Sequence, residues 1–198
     1  MAIDQRSPGR PKTNENAIPT RQRIIGAAES AFATRGFEGA RLEDIAEEAG
    51  IRRPSLLYHF DSKKRLYETV LDEIFKDLLI DMTSAFVPIG DVTTDANNLL
   101  QAYRGFLEKR PAFPSLVLRG FVEQTGHGRS LFQDYLLPAF NMVESYLGSD
   151  APATQVRRAL LLTSADSLLR AAAGEAGEAL WPEDSASGDL LAKLLMVG

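Results

Sequence analysis

Several features that define other classes of protein are missing from this chain of 198 residues. It contains no cysteine, which excludes disulfide frameworks and thiolate zinc sites. The two histidines, His59 and His127, are too few to build a convincing metal site or a histidine-based catalytic triad. No apolar run reaches the roughly 18–20 residues of a membrane span, and the N-terminus has no apolar signal-peptide segment. These absences favour a cytoplasmic protein without catalytic activity, cofactor, metal or membrane partner.

An excess of positive charge is also missing, since the net charge is −5. The charge is unevenly distributed, however. Residues 1–65 contain 12 Lys+Arg against 9 Asp+Glu, whereas the rest of the chain contains 10 against 18. A basic first third on an acidic body is typical of a protein in which only the N-terminal part approaches phosphates.

The first 19 residues lack apolar periodicity and contain three prolines before Thr20, a composition that predicts a disordered basic arm over residues 1–19. Gly9-Arg10-Pro11-Lys12 can lay basic side chains into a DNA minor groove, as the N-terminal arms of some DNA-binding domains do. The alternative is a solubilising tail.

Apolar spacing after Thr20 predicts an all-α protein, since no strand-like alternation occurs anywhere in the sequence. We expect a first helix capped by Thr20 and ended by Gly36, then two short helices joined through Gly50. The second of these begins with Pro54 in its first turn and ends near His59. A long fourth helix, capped by Asp61-Ser62, then runs to Pro88-Ile89-Gly90. Helical spacing predicts one apolar stripe on each long helix: Ile24, Ala28, Ala31 and Phe32 on the first, and Leu66, Val70, Ile74, Leu78 and Met82 on the fourth. Residues 20–66 therefore predict a helix-turn-helix domain, whose last short helix enters the major groove of DNA.

The N-terminus of the fourth helix carries an unfavourable pair of cations, Lys63 and Lys64. The positive end of the helix dipole lies there, so each cation costs about 0.3–1 kcal/mol of helix stability. A bound phosphate would remove that cost. The pair is either a phosphate contact, which we favour for Lys63, or a tolerated solvated pair. His59, at the end of the preceding helix, either contacts a phosphate, which we favour, or packs structurally.

The stretch from Leu42 to Leu66, LEDIAEEAGIRRPSLLYHFDSKKRL, resembles the DNA-binding domain of the TetR family of bacterial repressors. The resemblance covers residues 20–68 and includes the opening TRQRII and the ordered motifs DIA, AGI, YHF and SK. It implies that residues 53–59 form the recognition helix. It further implies base-edge contacts from Arg53, Pro54, Ser55 and Leu57, and phosphate contacts from Tyr58, His59 and Lys63.

The sequence departs from the family pattern at Arg41, Arg52 and Leu57. Serine or threonine is usual at Arg52 and tyrosine at Leu57, and Arg41 replaces a capping threonine. Arg41 and Arg52 offer phosphate contacts or, for Arg52, a guanine contact, whereas Leu57 offers only apolar contact such as a thymine methyl. The operator sequence is therefore not predictable from the family.

Residues 67–198 predict a larger helical ligand-binding and dimerisation domain. Its expected helices are 94–110, 112–124, 129–148, 153–173 and 188–197, with a kink at Pro138. Most aromatic residues of this region belong to the core, yet a bundle interior with scattered polar groups is also where an apolar or amphipathic ligand binds. The resemblance implies an inducer pocket here, and the candidate lining residues are Phe75, Arg104, Phe121, Gln124, His127, Phe132 and Asp166.

The Ala- and Leu-rich segments 153–173 and 188–197 pack either within the chain or, as the resemblance implies, across a two-fold axis as a homodimer. A dimer would present two recognition helices about 34–36 Å apart, which matches a palindromic operator. We therefore predict a dimeric repressor that an unidentified small molecule releases from DNA. The alternatives are a DNA-binding regulator or architectural protein without a ligand, and a small helical enzyme, for which no convergent catalytic groups are found.

Overall fold

A computed structural model describes residues 18–85, 91–122, 131–147, 153–177 and 180–181. Every long regular element in these ranges is helical, as predicted. The helices are α1 (Thr20–Gly39), α2 (Leu42–Glu48), α3 (Arg53–His59), α4 (Lys63–Ala85), α5 (Val92–Lys109), α6 (Phe113–Val122), a π-helical turn (Leu131–Leu136), α7 (Leu137–Leu147) and α8 (Ala153–Gly177). Residues 1–17 of the predicted arm, the predicted end of the fourth helix at residues 88–90 and the predicted helix 188–197 lie outside the described residues.

The apolar stripe predicted for α1 is buried, as Ile24, Ala28 and Phe32 show. The prediction that Thr20 caps this helix is wrong. Pro19 holds the cap position, and its carbonyl oxygen accepts from the amides of Gln22 and Arg23 at 3.0 and 3.1 Å, because the extended backbone of Pro19 turns that oxygen toward the first turn. The helix kinks at Gly36, where φ is 71°, and continues to Gly39. A glycine adopts this φ without the steric penalty of a side chain.

The turn between α2 and α3 closes as a Schellman motif around Gly50. The Gly50 amide donates to the Glu47 carbonyl and the Ile51 amide to the Ala46 carbonyl, both at 2.9 Å. Gly50 has φ 67°, in the left-handed region that this motif requires at its glycine. The motif fixes the direction in which α3 leaves α2, and so it fixes which face of α3 is presented outward.

The cap predicted for α4 is confirmed, since Ser62 Oγ accepts from the Arg65 amide at 3.1 Å. The predicted stripe along α4 is buried throughout its length; its members are Leu66, Val70, Ile74, Leu78 and Met82. The helix therefore passes without a break from the three short helices into the bundle. The predicted boundary between residues 66 and 67 falls in its first turn.

The remaining helices form a bundle that shares one continuous core with the N-terminal helices, from Ile24 to Leu168. Helix α1 packs against α2, α4 and α6, and α8 packs against α5, α6 and α7. The segment predicted as one helix with a kink at Pro138 instead consists of the π-helical turn followed by α7, so Pro138 lies in the first turn of a new helix. Proline is tolerated there because a first-turn amide has no partner within its helix.

Candidate nucleic-acid interface and ligand cavity

Helix α3 has one face in the core and one face in solvent. Leu56 is fully buried and Phe60, directly after the helix, is 3% exposed. The predicted base-reading residues Arg53, Pro54 and Ser55 are exposed, and Leu57 is half-buried. Among the predicted phosphate contacts, Tyr58 is 86% exposed and His59 is also exposed, with 5.7 Å between the two ring centroids. An aromatic residue this exposed contributes little to folding, and its phenol is free for an external partner.

The arginines around α3 differ in how they are held. Arg53 Nε lies 2.9 Å from Glu43 Oε1 of α2, an exposed ion pair that orients the guanidinium along the outer face. Arg41 and Arg52 occupy the cap positions of α2 and α3 without a side-chain capping bond, and both are exposed. The lost cap at Arg41 is partly offset by Glu43 and Asp44, acidic residues in the first turn of α2 that favour the helix dipole.

Lys63 is more constrained than an ordinary surface lysine. Its Nζ donates to the Glu38 carbonyl at 3.1 Å and lies 4.7 Å from the centroid of the Phe37 ring. The carbonyl belongs to the C-terminal end of α1, where a cation is favourable, and this contact offsets the cost of a cation at the start of α4. An ammonium group has three donors, so Lys63 retains donors for a phosphate.

A cavity of about 490 Å³ lies in the bundle, and its walls come from α5, α6, the π-helical turn, α7 and α8. Two of the predicted ligand-binding residues, Phe121 and Phe132, line it with ring centroids 4.4 Å apart in an edge-to-face arrangement. A smaller cavity of about 90 Å³ lies beside it and shares four lining residues with it: Tyr103, Leu136, Phe140 and Ser164. The larger volume falls within the range of small-molecule sites.

The other predicted ligand-binding residues are not among the residues that line these cavities. Phe75 is 4% exposed and packs against the rings of Phe113 and Tyr135, at 5.5 and 5.0 Å between centroids. Arg104 is half-buried on α5. Asp166 accepts from Arg170 Nε at 3.0 Å and from Trp181 Nε1 at 2.9 Å. Gln124 and His127 lie outside the described residues.

Four polar residues that the sequence analysis did not single out do line the larger cavity: Tyr103, Gln133, Arg157 and Ser164. Burial raises the pKa of the Tyr103 phenol well above its usual range, so the hydroxyl stays protonated and available as a donor. The sequence signal that could have indicated a polar lining is the group of hydroxyl residues in α8, a helix otherwise rich in Ala and Leu. Of these residues, Thr163 and Ser167 are buried and Ser164 is half-buried.

A charged cluster joins α1 to α4 and to the end of α5. Arg110 donates to Glu29 Oε2 at 3.0 Å and to Asp77 Oδ2. Burial raises the pKa of Glu29, and the ion pair with Arg110 opposes this shift without cancelling it. Burial alone would lower the pKa of Arg110, but its bonds to Asp77 and Glu29 outweigh that effect and raise it. Arg110 therefore remains charged and holds the three helices together.

A second connection joins α1 to the wall of the cavity. Arg119 of α6 donates through Nε to the Ala33 carbonyl at 2.7 Å and through Nη2 to the Thr34 carbonyl. Both carbonyls lie just before the kink at Gly36. The residues around Arg119 on α6, namely Val117, Leu118 and Phe121, line the larger cavity. One short helix thus contacts both the cavity and the first helix of the N-terminal unit.

An exposed recognition helix on a Schellman turn, joined by a continuous α4 to a bundle with a cavity, is the architecture of a helix-turn-helix regulator. Residues 24–70 match the family model described as bacterial regulatory proteins, tetR family. The N-terminal helix-turn-helix of this chain is therefore a DNA-binding domain of the TetR-family type. No helix within the described ranges is long and apolar enough to cross a membrane.

Curated relatives extend the comparison. The chain is 44% identical over 63 residues to the HTH-type transcriptional regulator TtgR of Pseudomonas putida, a match that covers 32% of this chain and 30% of TtgR. It is 33% identical over 118 residues to the HTH-type transcriptional regulator RutR of Escherichia coli O157:H7, with 56% of each chain covered. The chain thus spans about a third to just over half of the length of these relatives.

Solved structures show the same fold over most of the chain. A TetR-like transcriptional regulator from Rhodococcus sp. RHA1 superposes with a TM-score of 0.72 at 21% identity, covering 90% of this chain and 96% of that one. FadR from Bacillus subtilis, solved in complex with stearoyl-CoA, superposes with a TM-score of 0.70 at 12% identity, covering 88% and 97%. At these identities the likeness concerns the fold alone.

Proposed function

We propose that this protein is a dimeric transcriptional repressor that binds palindromic operator DNA through α3 and is released by a small molecule. The observation that carries the proposal is the division of α3 into a buried face, with Leu56, and an outer face with Arg53, Ser55 and Tyr58 exposed. That outer face offers hydrogen-bonding groups of the kinds that read base edges and phosphates.

In the proposed complex, α3 lies in the major groove. Arg53, Pro54, Ser55 and Leu57 face the bases, and Tyr58, His59 and Lys63 face phosphates. Arg41 and Arg52 add positive charge at the starts of α2 and α3. The contact of Lys63 with the Glu38 carbonyl supports its role, because it fixes the position of the ammonium group before DNA arrives and so lowers the entropy lost on binding.

A homodimer supplies the second recognition helix that a palindromic operator needs. The observation that supports it is a row of exposed leucines on α8, where Leu161, Leu162 and Leu169 are 49%, 46% and 48% exposed. Leu161 and Leu169 also line the larger cavity, whereas Leu162 does not, so the proposed interface lies beside that cavity. Three large apolar side chains on one helix are more favourably buried against a second copy than left in water.

Release by a ligand is a population shift, in which the small molecule favours a dimer whose recognition helices no longer match successive major grooves. The apolar cavity of about 490 Å³ favours this function over a DNA-binding protein without a ligand. The complex of FadR with stearoyl-CoA, a protein similar in fold, is consistent with an apolar or amphipathic effector for such a bundle. Helix α6, which lines the cavity and holds α1 through Arg119, is the connection along which the shift reaches α3.

The experiment that tests this function measures binding of the full chain to the DNA that flanks its own gene, by fluorescence anisotropy at several salt concentrations. Random DNA of equal length is the reference. We expect Tyr58→Ala to weaken binding to all sequences and Lys63→Ala to lower the salt slope by about 1. We expect Arg53→Ala and Ser55→Ala to change the preference among sequences instead.

Lys76→Ala is the matched control for Lys63→Ala, because Lys76 is an exposed lysine further along the same helix. It should bind DNA as the wild type does. Equal affinity of the wild type for flanking and random DNA, or an unchanged affinity in Tyr58→Ala, would contradict the proposed interface.

A further inference from the structure

Two residues with hydroxyl groups lie where the two cavities adjoin. Tyr103 of α5 and Ser164 of α8 line both the larger and the smaller cavity. Within the described part of the chain neither hydroxyl has a hydrogen-bond partner, whereas Thr163, next to Ser164, donates to the Ala159 carbonyl of its own helix at 2.8 Å. Both side chains are half-buried, so each hydroxyl is open to the cavity and available to a hydrogen-bonding group of a ligand that takes the place of water there.

The walls around these hydroxyls are almost wholly hydrocarbon. The apolar members include Val117, Phe121, Phe132, Leu137, Leu161 and Leu168. Such a surface takes the apolar part of a ligand, and the hydroxyl pair takes one hydrogen-bonding group. Because burial raises the pKa of Tyr103, the phenol offers a proton to an acceptor on the ligand throughout the neutral range.

One charged residue, Arg157, lines the larger cavity within the described part of the chain, and its charge is already compensated. Its Nε lies 2.9 Å from Glu144 Oε2, and its Nη2 donates to Asn141 Oδ1 at 2.7 Å and to Glu144 as well. The Glu144 side chain is 15% exposed. The Arg157 side chain is 40% exposed. An anionic ligand at Arg157 would have to displace or face the more deeply buried Glu144 carboxylate, and two like charges close together in a partly buried site repel each other.

We infer that the cavity selects neutral, mainly apolar molecules with one oxygen, a hydroxyl or a carbonyl, which hydrogen-bonds to Tyr103 and Ser164, and that the Arg157–Glu144 pair rejects carboxylates. This inference rests on the ligand-binding part of the proposed function. Tyr103 and Ser164 are then the residues that set specificity, and Phe121 and Phe132 contribute apolar contact alone.

The test uses the full chain and the hydrocarbon dye diphenylhexatriene, whose fluorescence rises in an apolar site and which has no polar atom. Decan-1-ol and decanoate, which share a ten-carbon chain, then compete with the dye at neutral pH. We expect decan-1-ol to displace it at a concentration at least roughly tenfold lower than decanoate does, the ratio that a difference of about 1.4 kcal/mol produces.

Variants separate the hydroxyl pair from the charged pair. Tyr103→Phe and Ser164→Ala should each weaken the binding of decan-1-ol by about two- to tenfold, the range for one neutral hydrogen bond. Both variants should leave the affinity for the dye unchanged. Tyr135→Phe and Ser167→Ala are the matched controls. Tyr135 donates to Asp72 at 2.6 Å, Ser167 is buried on α8, and neither lines a cavity. Glu144→Gln should strengthen decanoate binding, because it leaves the charge of Arg157 uncompensated.

Each outcome decides one part of the inference. Decanoate binding as tightly as decan-1-ol would overturn the charge selection, and an unchanged alcohol affinity in both Tyr103→Phe and Ser164→Ala would overturn the hydroxyl anchor. Failure of the dye to bind would overturn the cavity as a ligand site. None of these measurements contains DNA, so operator binding without ligand binding, or the reverse, shows which of the two proposals has failed.

Discussion

Arg119 of α6 and Ala33 of α1 are joined by a hydrogen bond of 2.7 Å from the guanidinium Nε to the carbonyl oxygen. The same guanidinium also reaches the Thr34 carbonyl, so a single side chain bonds two consecutive carbonyls beside the kink at Gly36. Arg119 does not itself line a cavity, but its neighbours Val117, Leu118 and Phe121 on α6 line the larger one. The contact is therefore well placed to transmit a change in the cavity to the N-terminal helices.

We expect Arg119→Ala to lower the free energy of unfolding by about 1 kcal/mol, because it removes two charge-assisted bonds that are partly exposed. It should also reduce the effect of a cavity ligand on operator affinity while ligand affinity itself remains close to that of the wild type. Urea unfolding gives the first quantity, and anisotropy titrations with and without decan-1-ol give the second.

Arg158→Ala is the control for this prediction, since Arg158 is an exposed arginine on α8 and should give no change in either measurement. If Arg119→Ala keeps the full response of the wild type to ligand, the coupling runs through α4 or another contact instead.

The ion pair between Arg53 and Glu43 leads to a second prediction. Glu43 holds Arg53 at 2.9 Å and also places a negative charge beside the proposed DNA surface. We expect Glu43→Gln to raise DNA affinity about 1.4- to fivefold at low salt, equivalent to the roughly 0.2–1 kcal/mol typical of an exposed ion pair. Anisotropy titrations at low and high salt measure the effect, which should shrink as salt increases.

Glu47→Gln makes the same change of charge one turn further along α2, at an exposed residue, and should give a smaller increase. Equal increases in the two variants would mean that the charge alone matters and that the pairing with Arg53 does not.

The local parts of this structure were predictable from sequence because short-range rules determine them. The Gly50 turn and the Ser62 cap each depend on residues within a few positions, and the stripe from Leu66 to Met82 follows from helical spacing. Thr20 failed as a cap because the helix begins one residue earlier than expected, so that Thr20 is its first helical residue and Pro19 holds the cap position. Family resemblance, rather than spacing, identified the recognition residues.

The cavity was less predictable, because its lining depends on packing between distant helices. Phe75 and Tyr103 are both aromatic residues on amphipathic helices, yet Phe75 is covered by Phe113 and Tyr135 while Tyr103 faces the cavities. Nothing in the local sequence separates the two. In the same way, the partner of Lys63 is a carbonyl 25 residues earlier in the chain, a contact that only the path of α1 creates.

The buried carboxyl of Glu29 gives the protein a pH-dependent stability. Its pKa is raised in the folded state, chiefly by burial and further by Asp77 and Glu73, against the opposing effect of Arg110. A raised pKa means that the folded state binds the proton more tightly, so this contribution is fully present below the unfolded pKa and is lost as pH rises through the folded pKa. We therefore expect the free energy of unfolding of the wild type to fall as the pH rises above about 4.5, because Glu29 loses its proton. Glu29→Gln should lack this part of the decline.

Thermal unfolding of the wild type and Glu29→Gln between mildly acidic and neutral pH measures the difference. The variant should gain in stability relative to the wild type as pH rises. Asp77→Asn, which alters the more exposed partner of the same Arg110, should retain the pH dependence due to Glu29. A difference between wild type and Glu29→Gln that is constant across this range would contradict the assignment.

Leu162 provides a test of the proposed dimer that leaves the cavity intact. It is 46% exposed and lies seven residues before Leu169, so the two share a face of α8, and it is not among the residues that line the cavities. In a two-fold dimer each copy would bury one Leu162. Leu162→Asp would then place an unpaired carboxylate in the interface twice, and we expect the dissociation constant of the dimer to rise by at least roughly a hundredfold.

Light scattering coupled to size exclusion, over a range of protein concentrations, measures this shift, and circular dichroism confirms that the variant is folded. Ile80→Asp is the matched control, because Ile80 on α4 is 50% exposed and outside the leucine row of α8. The control should remain dimeric. A wild type that is monomeric at all concentrations would remove the dimer from the proposed function, whereas a dimer unaffected by Leu162→Asp would place the interface on another face. In the predicted case, loss of the dimer should also weaken operator binding strongly, because a single α3 contacts only one half-site.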